Sequence, residues 1–144
     1  LLGSETMSDE LRENRSINCV ELYTIAEEAE LDPLLIISIA HTESRFNKKA
    51  VSRAGAIGMM QVLPRFFCPK KGKCDYTAAG IRAWKAWSKK KKKKRKTKEA
   101  LCRYNSGKSC KDSPRAKVYA NIVLKKRRKL LLNEERLCDY EPGC

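Results

Sequence analysis

One acidic side chain lies on an apolar helix face predicted from the sequence, where a carboxyl group can do acid–base chemistry. Glu43 follows Ile36 by seven residues and Ala40 by three, a spacing that puts the three side chains on one side of a helix. Because burial penalises the charged form, we expect a raised pKa for the Glu43 carboxyl. Such a group stays protonated near neutral pH and can donate its proton to a leaving oxygen. The structural alternative is a buried ion pair with Arg45 or Arg53.

The segment that carries this acid is predicted to be a central, buried helix. Asp32 can cap its start, and Pro33 suits the first helical position, where a proline loses no hydrogen bond. From Leu34 to Ala40 the chain is apolar except for one serine, so the helix is apolar on nearly all sides. We expect it to continue to about Arg45.

Further helical segments are predicted around the central helix, and they give a mainly α fold. They run from about Asn18 to Glu30, Met59 to Leu63, Thr77 to Ser88, Thr97 to Arg103 and Pro114 to Leu132. Apolar side chains expected to face the core are Ile81, Trp84, Trp87, Val118, Ile122 and Val123. No convincing run alternates apolar and polar residues, so we expect little or no strand.

Length and composition indicate one folded domain. The 144 residues, 42% of them hydrophobic, can build one core and exclude a wholly disordered chain, while seven glycines exclude collagen. We expect a flexible segment at residues 1–15 and a helical domain at residues 16–144. No apolar run reaches the roughly 18–20 residues needed to cross a bilayer, so a soluble protein is predicted.

The seven cysteines indicate disulfide bonds and therefore an oxidising compartment. A zinc site is the alternative, but the sequence has no Cys-x-x-Cys pair and one histidine only. Pairing of neighbours gives Cys68–Cys74, Cys102–Cys110 and Cys138–Cys144, with Cys19 free. Other connectivities stay open, because sequence alone does not fix the pairing.

Three motifs occur in an order that is typical of one enzyme family. The first runs from Glu43-Ser44-Arg45-Phe46-Asn47 through Ala50-Val51-Ser52 to residues 55–64. The second, at residues 100–107, resembles an Ala-x-x-Tyr-Asn-Ala-Gly motif, and Ser106 stands where alanine is usual. The third, at residues 115–120, resembles a C-terminal Arg-x-Tyr segment. From about residue 17 to 129 the chain resembles the lytic transglycosylases with a goose-lysozyme-like catalytic domain, and small secreted or phage-type members most of all.

The resemblance implies a lysozyme-like helical fold with Glu43 as the single catalytic acid and base; no metal or other cofactor is expected. Residues implied to contact substrate are Ser52, Gln61, Leu63, Tyr104, Asn105 and Tyr119. Among them, Ser52 is implied to lie near Glu43, Tyr104 to position it, and Tyr119 to close the cleft. Purely structural roles stay open: a helix cap for Ser52, a turn for Asn105, a core position for Tyr119. The resemblance also implies that Cys19 lies within reach of the Cys74 region.

The implied activity is cleavage of the β-1,4 bond between MurNAc and GlcNAc in peptidoglycan, with closure of a 1,6-anhydro ring by the MurNAc C6 hydroxyl. This reaction needs no water and no second carboxylate, whereas a typical glycoside hydrolase uses two acids. Asp75 is the main candidate for a second acid, so a lysozyme-like hydrolase (muramidase) is one alternative. Asp75 is also interpretable as a surface or helix-capping residue. A non-catalytic module that binds polyanions or cell wall is the other alternative.

A formal net charge of +15 predicts attraction to polyanions. The lysine tract, Lys89–Lys94, is interpretable as a solvated loop or as a tether to an anionic wall polymer or membrane surface. Peptidoglycan glycan strands are the expected partner, with phage or secretion-apparatus proteins as further candidates and no specific nucleic acid. The expected location is periplasmic, extracellular or virion-associated.

Overall fold

The computed structural model of the protein describes residues 8–91 and 93–139. Helices follow one another along this part of the chain, interrupted by one short hairpin. The elements are α1 (Asp9–Glu28), α2 (Pro33–Ser44), α3 (Pro64–Phe67), α4 (Tyr76–Trp87), β1 (Lys89–Lys90), β2 (Lys93–Lys94), α5 (Thr97–Ser106), α6 (Pro114–Leu131) and a 3₁₀ helix (Glu134–Arg136). The prediction of a mainly α fold is confirmed.

Helix α2 forms the centre of the fold, as the sequence predicts. The Asp32 carboxylate accepts hydrogen bonds from the backbone N–H groups of Leu34 (3.1 Å) and Leu35 (3.2 Å), and Pro33 occupies the first turn. All residues from Leu34 to His41 are buried. Because α2 packs against both α1 and α6, its last turn is held between helices from the two ends of the chain.

Helix α6 buries a different face from the one predicted. Its buried side chains near the middle of the fold are Ala116, Tyr119, Ala120 and Val123, which follow the spacing of one helix face. Val118 and Ile122 are 59% and 43% exposed, so the prediction that they face the core is wrong. They lie two and six residues after Ala116, off that face. Val123 is fully buried as expected.

Helix α1 begins earlier than predicted. Ser8 accepts a hydrogen bond from the N–H of Leu11, and the helix starts at Asp9 instead of near Asn18. Acidic side chains at the first turn favour this start, because they interact well with the positive end of the helix dipole. Residues 9–15 are therefore helical. The flexibility expected of residues 1–15 stays a prediction, and residues 1–7 lie outside the described part of the chain.

The segment from Met59 to Leu63 is not the short helix that we predicted. Gln61 has a φ of 55°, and isolated β-bridges join Ile57 to Val51 and to Val62. Pro64, which directly follows the predicted segment, occupies the first turn of α3 and so begins a helix. This bridged loop, residues 51–62, forms one wall of the cleft described below.

Three disulfide bonds connect six of the cysteines. The predicted Cys68–Cys74 and Cys102–Cys110 bonds are present. The third bond joins Cys19 to Cys138, so the predictions of a free Cys19 and of Cys19 near Cys74 are wrong. It links α1 to the segment after the 3₁₀ helix across 119 positions, a pairing that nearest-neighbour reasoning does not reach. Cys144, the expected partner of Cys138, lies outside the described residues.

The lysine tract contains the one pair of strands in the described residues. Lys89 pairs with Lys94 and Lys90 with Lys93 in an antiparallel register, and all four side chains are exposed.

Trp84 and Ile81 of α4 are buried as predicted. No helix among the described residues has the length and apolar character needed to span a membrane.

Candidate active site

A cleft of about 460 Å³ lies between the bridged loop and helices α3, α4 and α5, at the last turn of α2. Backbone and side chains from five parts of the chain meet there. The lining residues are Glu43, Ser52, Ala54, Ala56, Gln61, Val62, Leu63, Phe66, Phe67, Ala83, Trp87, Arg103, Tyr104, Asn105, Ser106 and Gly107. Of these described residues, Glu43 is the one carboxylic acid and Arg103 the one cation.

Glu43 lies half-buried in the last turn of α2 and lines the cleft. Burial raises the pKa of its carboxyl from 4.5 to about 7, although a hydrogen bond from Tyr119 acts in the opposite direction. The ion pairs of the described residues do not include Glu43, so the alternative pairing with Arg45 or Arg53 is not observed. The group can therefore hold a proton near neutral pH and still reach a ligand.

Tyr119 supports Glu43 from α6. Its hydroxyl donates a hydrogen bond of 2.8 Å to Oε2 of Glu43. Burial and the nearby Glu43 charge raise the pKa of Tyr119 well above its usual value of 10, so the phenol keeps its proton and remains a donor. Tyr119 is itself buried and is not among the residues that line the cleft. The arrangement favours a positioning role behind Glu43 over the role of closing the cleft.

Tyr104 lies in α5 and lines the cleft near Glu43. Its hydroxyl donates to the carbonyl oxygen of Met60 at 2.5 Å, and its ring meets Trp84 edge-on at a centroid distance of 5.9 Å. Burial, followed by the charge of Glu43, raises the pKa of Tyr104 well above 10. The hydrogen bond joins α5 to the bridged loop, and the ring contact joins α5 to α4. The hydrogen bond to Glu43 itself comes from Tyr119.

The bridged loop is held by its own polar side chains. The hydroxyl oxygen of Ser52 accepts a hydrogen bond from the N–H of Ala56 at 3.0 Å. Nε2 of Gln61 donates to the carbonyl oxygens of Ala50 (3.1 Å) and Gly58 (3.0 Å). Both side chains also line the cleft. They therefore shape the wall, and Ser52 is a loop residue, not a helix cap.

A glycine permits the close approach of the bridged loop to α4. Gly58 has a φ of 88°, a conformation that side chains rarely adopt. A Cβ atom at this position would lie 2.9 Å from Cβ of Tyr76. The loop can therefore pack onto the start of α4 only with glycine here.

The remaining predicted residues lie at the edge of the cleft or away from it. Leu63 lines the cleft where the bridged loop leads into α3, and Asn105 lines it as an exposed residue in the last turn of α5. Asp75 caps α4 by accepting a hydrogen bond from the N–H of Ala78 at 3.1 Å. It is exposed and is not among the lining residues. The helix-capping interpretation of Asp75 is the one observed.

Several lining residues were missed by the sequence analysis. Phe66 and Phe67 come from α3, and Arg103 from α5. Trp87, which we expected to face the core, is half-buried at the end of α4 and lines the cleft. Phe66 is 63% exposed, and the guanidinium of Arg65 lies over its ring, 4.7 Å from the centroid. The available signal was the pair of aromatic residues that begins two positions after Pro64. Among the described residues, no group of three or more His, Cys, Asp or Glu side chains could hold a metal ion.

Comparison with known proteins identifies proteins that are similar to part of this chain. A stretch of 41 residues is 51% identical to the protein named membrane-bound lytic murein transglycosylase C of Actinobacillus pleuropneumoniae serotype 5b (strain L20). The same identity and length are found with the proteins of that name from serotypes 3 (strain JL03) and 7 (strain AP76). The match covers 28% of this chain and 11% of each relative, so the chain spans a small part of the curated relatives' length. No solved structure matches.

The family comparison covers most of the fold. The model described as "Transglycosylase SLT domain" matches residues 22–123, which include the buried helix α2, the bridged loop and most of α6. That domain has a lysozyme-like, all-α fold, as the sequence analysis expected. Because the match extends over well more than half of the chain, this protein belongs to the transglycosylase SLT domain family.

Proposed function

We propose that this protein is a peptidoglycan lytic transglycosylase that cleaves the β-1,4 bond between MurNAc and GlcNAc and leaves a 1,6-anhydro-MurNAc end. Membership of the SLT domain family and the names of the curated relatives support this proposal. The observation that carries it is Glu43: one half-buried acid, with a pKa of about 7, that lines a cleft otherwise free of carboxylates among the described residues.

In the first step, Glu43 acts as a general acid. Its proton moves to the glycosidic oxygen while the bond from that oxygen to C1 of MurNAc breaks. A carboxyl whose pKa is about 7 is protonated in about half of the molecules at pH 7, so the acid form is available at the start of the reaction. The positive charge that develops at C1 is then next to a carboxylate newly formed in a partly desolvated cleft, where opposite charges attract strongly.

In the second step, the same carboxylate acts as a general base. It takes the proton from the C6 hydroxyl of MurNAc, and the oxygen attacks C1 to close the 1,6-anhydro ring. Glu43 ends the cycle protonated, so atoms and charge balance without water. A hydrolase would need a second acid to position water, and Asp75, the main candidate, is engaged as the cap of α4.

Four of the predicted substrate-binding residues are proposed to contact the saccharide directly, because they line the cleft: Ser52, Gln61, Leu63 and Asn105. Both donor hydrogens of the Gln61 amide go to backbone carbonyls, which leaves its oxygen as the acceptor for a sugar hydroxyl. Tyr104 lines the wall, and Tyr119 orients Glu43 from behind.

The lysine tract is proposed to bind an anionic polymer or membrane surface close to the cleft. The Arg95 guanidinium donates to the carbonyl oxygen of Trp87, a lining residue, and to that of Lys89, so the hairpin is attached at the cleft's edge. Like charges directly across a ladder destabilise it. A polyanion would remove that repulsion between Lys89 and Lys94 and between Lys90 and Lys93.

The three disulfides indicate an oxidising compartment, and we propose a periplasmic, extracellular or virion-associated location.

Product analysis tests the proposed reaction. Purified peptidoglycan is digested with the wild-type protein and with Glu43→Gln, and the muropeptides are analysed by mass spectrometry. We expect 1,6-anhydro products from the wild type and none from the variant, which retains the shape of the side chain without its acid. Reducing ends alone would identify a hydrolase. Wall binding without any cleavage by the wild type would identify a non-catalytic module.

A further inference from the structure

Arg103 brings a positive charge into the cleft. It lies one turn before the end of α5, its side chain is 28% exposed, and it is the one cation among the described lining residues. The chain has 32 lysine and arginine residues, yet the others that the structure describes lie outside the lining. A cation at this position adds electrostatic specificity to a cleft that is otherwise made of neutral side chains and Glu43.

The guanidinium of Arg103 is anchored by one edge. Its Nε donates to Oε1 of Glu99 at 3.0 Å. The other oxygen of Glu99 accepts the backbone N–H of Cys110 at 3.3 Å, and Cys110 is disulfide-bonded to Cys102. Glu99 thus holds the arginine in place, and Glu99 is itself held by the backbone of Cys110, which the disulfide ties to α5. An arginine fixed in this way loses little conformational entropy when it binds a ligand.

The two terminal nitrogens of Arg103 are the groups left for a ligand. No hydrogen bond or ion pair from either of them to another described residue is present; Nε makes the bond to Glu99. Together they offer a planar fork of N–H donors, which matches the two oxygens of a carboxylate. The glycan of peptidoglycan has neutral sugar rings, and its carboxylates are on the lactyl group of MurNAc or on the attached peptide.

We propose that Arg103 binds a carboxylate of the wall polymer and so restricts the cleft to acidic, MurNAc-containing strands. The inference rests on the proposed function and adds a specificity-determining residue to it. The carboxylate belongs either to the stem peptide or, where the peptide has been removed, to the free lactyl group. A neutral chitooligosaccharide offers neither group and therefore gains nothing from Arg103.

Binding measurements in a Glu43→Gln background test this proposal without turnover. The signal is the change in tryptophan fluorescence, because one of the two tryptophans, Trp87, lines the cleft. The ligands are soluble strands with stem peptides, strands stripped by an amidase, and a chitooligosaccharide of equal length. We expect Arg103→Gln to weaken binding of one or both acidic strands about tenfold to a hundredfold, as for loss of charge-assisted hydrogen bonds, and to leave chitooligosaccharide binding unchanged. The matched control is Arg128→Gln, which removes the same charge from an exposed position outside the cleft and should change none of the three affinities.

The ligand series separates the sources of the carboxylate. A loss confined to stem-bearing strands assigns the peptide, and a loss confined to stripped strands assigns the lactyl group. Arg103→Lys keeps the charge and can still pair with Glu99, so it should fold and show a partial loss. An equal loss for all three ligands, or no loss for either acidic strand, overturns the proposal. The proposed reaction is tested separately, by analysing whether the protein with Glu43 intact forms 1,6-anhydro products.

Discussion

The hydroxyl of Tyr119 donates a hydrogen bond of 2.8 Å to Oε2 of Glu43, and this contact joins α6 to α2 across 76 positions of the chain. Burial raises the pKa of Glu43, while the hydrogen bond stabilises its charged form and lowers the pKa. The balance is a pKa of about 7. Two interactions of opposite sign therefore set the acid to donate and accept a proton at neutral pH, which single-residue catalysis requires.

Removal of the Tyr119 hydroxyl should move the pH dependence of catalysis. In the proposed mechanism Glu43 must be protonated to start the reaction, so the wild-type rate should fall as the pH rises through about 7. Tyr119→Phe loses a bond that favours the carboxylate, so the pKa of Glu43 rises and the alkaline limb moves to higher pH. We expect kcat below the limb to fall about tenfold, because the carboxyl is less well oriented. Initial rates on soluble glycan strands across the pH range measure both effects.

Tyr23→Phe provides the control for this experiment. Tyr23 is a half-buried tyrosine of α1, and it lies outside the cleft lining. Its loss of one hydroxyl should leave both kcat and the alkaline limb at wild-type values. An unchanged alkaline limb in Tyr119→Phe would contradict the proposed link between this hydrogen bond and the Glu43 pKa.

Glu43→Gln should make the folded protein more stable at alkaline pH. The Glu43 carboxyl has a pKa of about 7 in the fold against 4.5 as the ordinary value, so the folded state binds this proton more tightly. Stability from this group is complete below pH 4.5 and is lost as the pH rises through about 7. This difference in pKa corresponds to about 3 kcal/mol in the free energy of unfolding. Glutamine does not titrate and can still accept from Tyr119.

Thermal or denaturant unfolding at about pH 5 and about pH 9 measures this effect. The free energy of unfolding of the variant should exceed that of the wild type at the higher pH, and the two should approach each other at the lower pH. Because all other titrating groups are common to both proteins, the change in their difference with pH reports Glu43. A difference that does not vary with pH would contradict the raised pKa.

The central helix was predictable because its signals are local. Asp32 caps the helix and Pro33 begins it, and both effects depend on neighbouring residues only. The prediction of a helix at Met59–Leu63 was wrong because Gln61 takes a left-handed conformation, which its hydrogen bonds to Ala50 and Gly58 fix. Such tertiary bonds do not show in apolar spacing.

In the candidate site, too, features that depend on neighbouring residues were predictable, and features that depend on distant segments were not. The position of Glu43 on an apolar helix face indicated an acid with a raised pKa, and the structure has that property. The partner of Glu43 depends on how α6 packs against α2, a relation between distant segments, so the sequence did not indicate Tyr119 as its hydrogen-bond donor. Cys19–Cys138 was missed for the same reason. Arg103 was missed because only its place on α5 beside the cleft gives it a role.

Gly80→Ala should destabilise the protein although alanine is the better helix former. A Cβ atom at Gly80 of α4 would lie 2.7 Å from Cβ of Met60. Met60 must then shift, and its carbonyl oxygen is the acceptor for Tyr104. We expect a net loss of about 1–2 kcal/mol, since overpacking exceeds the gain in helix propensity, together with reduced activity. Urea unfolding measures the loss, and Lys85→Ala, at an exposed position of the same helix, should be neutral. Wild-type stability in Gly80→Ala would contradict the close contact.

Two of the three disulfides should have separable effects. Cys19–Cys138 spans 119 positions and neither cysteine lines the cleft, so replacing both with alanine should lower stability by about 5 kcal/mol and leave kcat unchanged at low temperature. Cys102–Cys110 spans eight positions and holds the end of α5. Its double-alanine variant should lose about 2 kcal/mol and also activity. Equal effects of the two variants on kcat would contradict this assignment.

Neutralising the hairpin lysines should weaken wall binding in a manner that depends on salt and on position. The variant Lys89→Gln/Lys90→Gln/Lys93→Gln/Lys94→Gln removes four exposed charges at the edge of the cleft. Its control, Lys117→Gln/Lys125→Gln/Arg128→Gln/Lys129→Gln, removes the same charge from exposed positions of α6.

Sedimentation with purified cell walls, with Glu43→Gln in both backgrounds, measures binding at low and high salt. At about 0.05 M salt the hairpin variant should bind several-fold more weakly than the control, because nearby charges act over roughly 10–15 Å there. At about 1 M salt, where the screening length is about 3 Å, the two should bind equally. If both variants lose affinity equally at low salt, the net charge of the protein is responsible and the hairpin is no specific tether. If neither loses affinity, the lysine tract is a solvated loop without a role in binding.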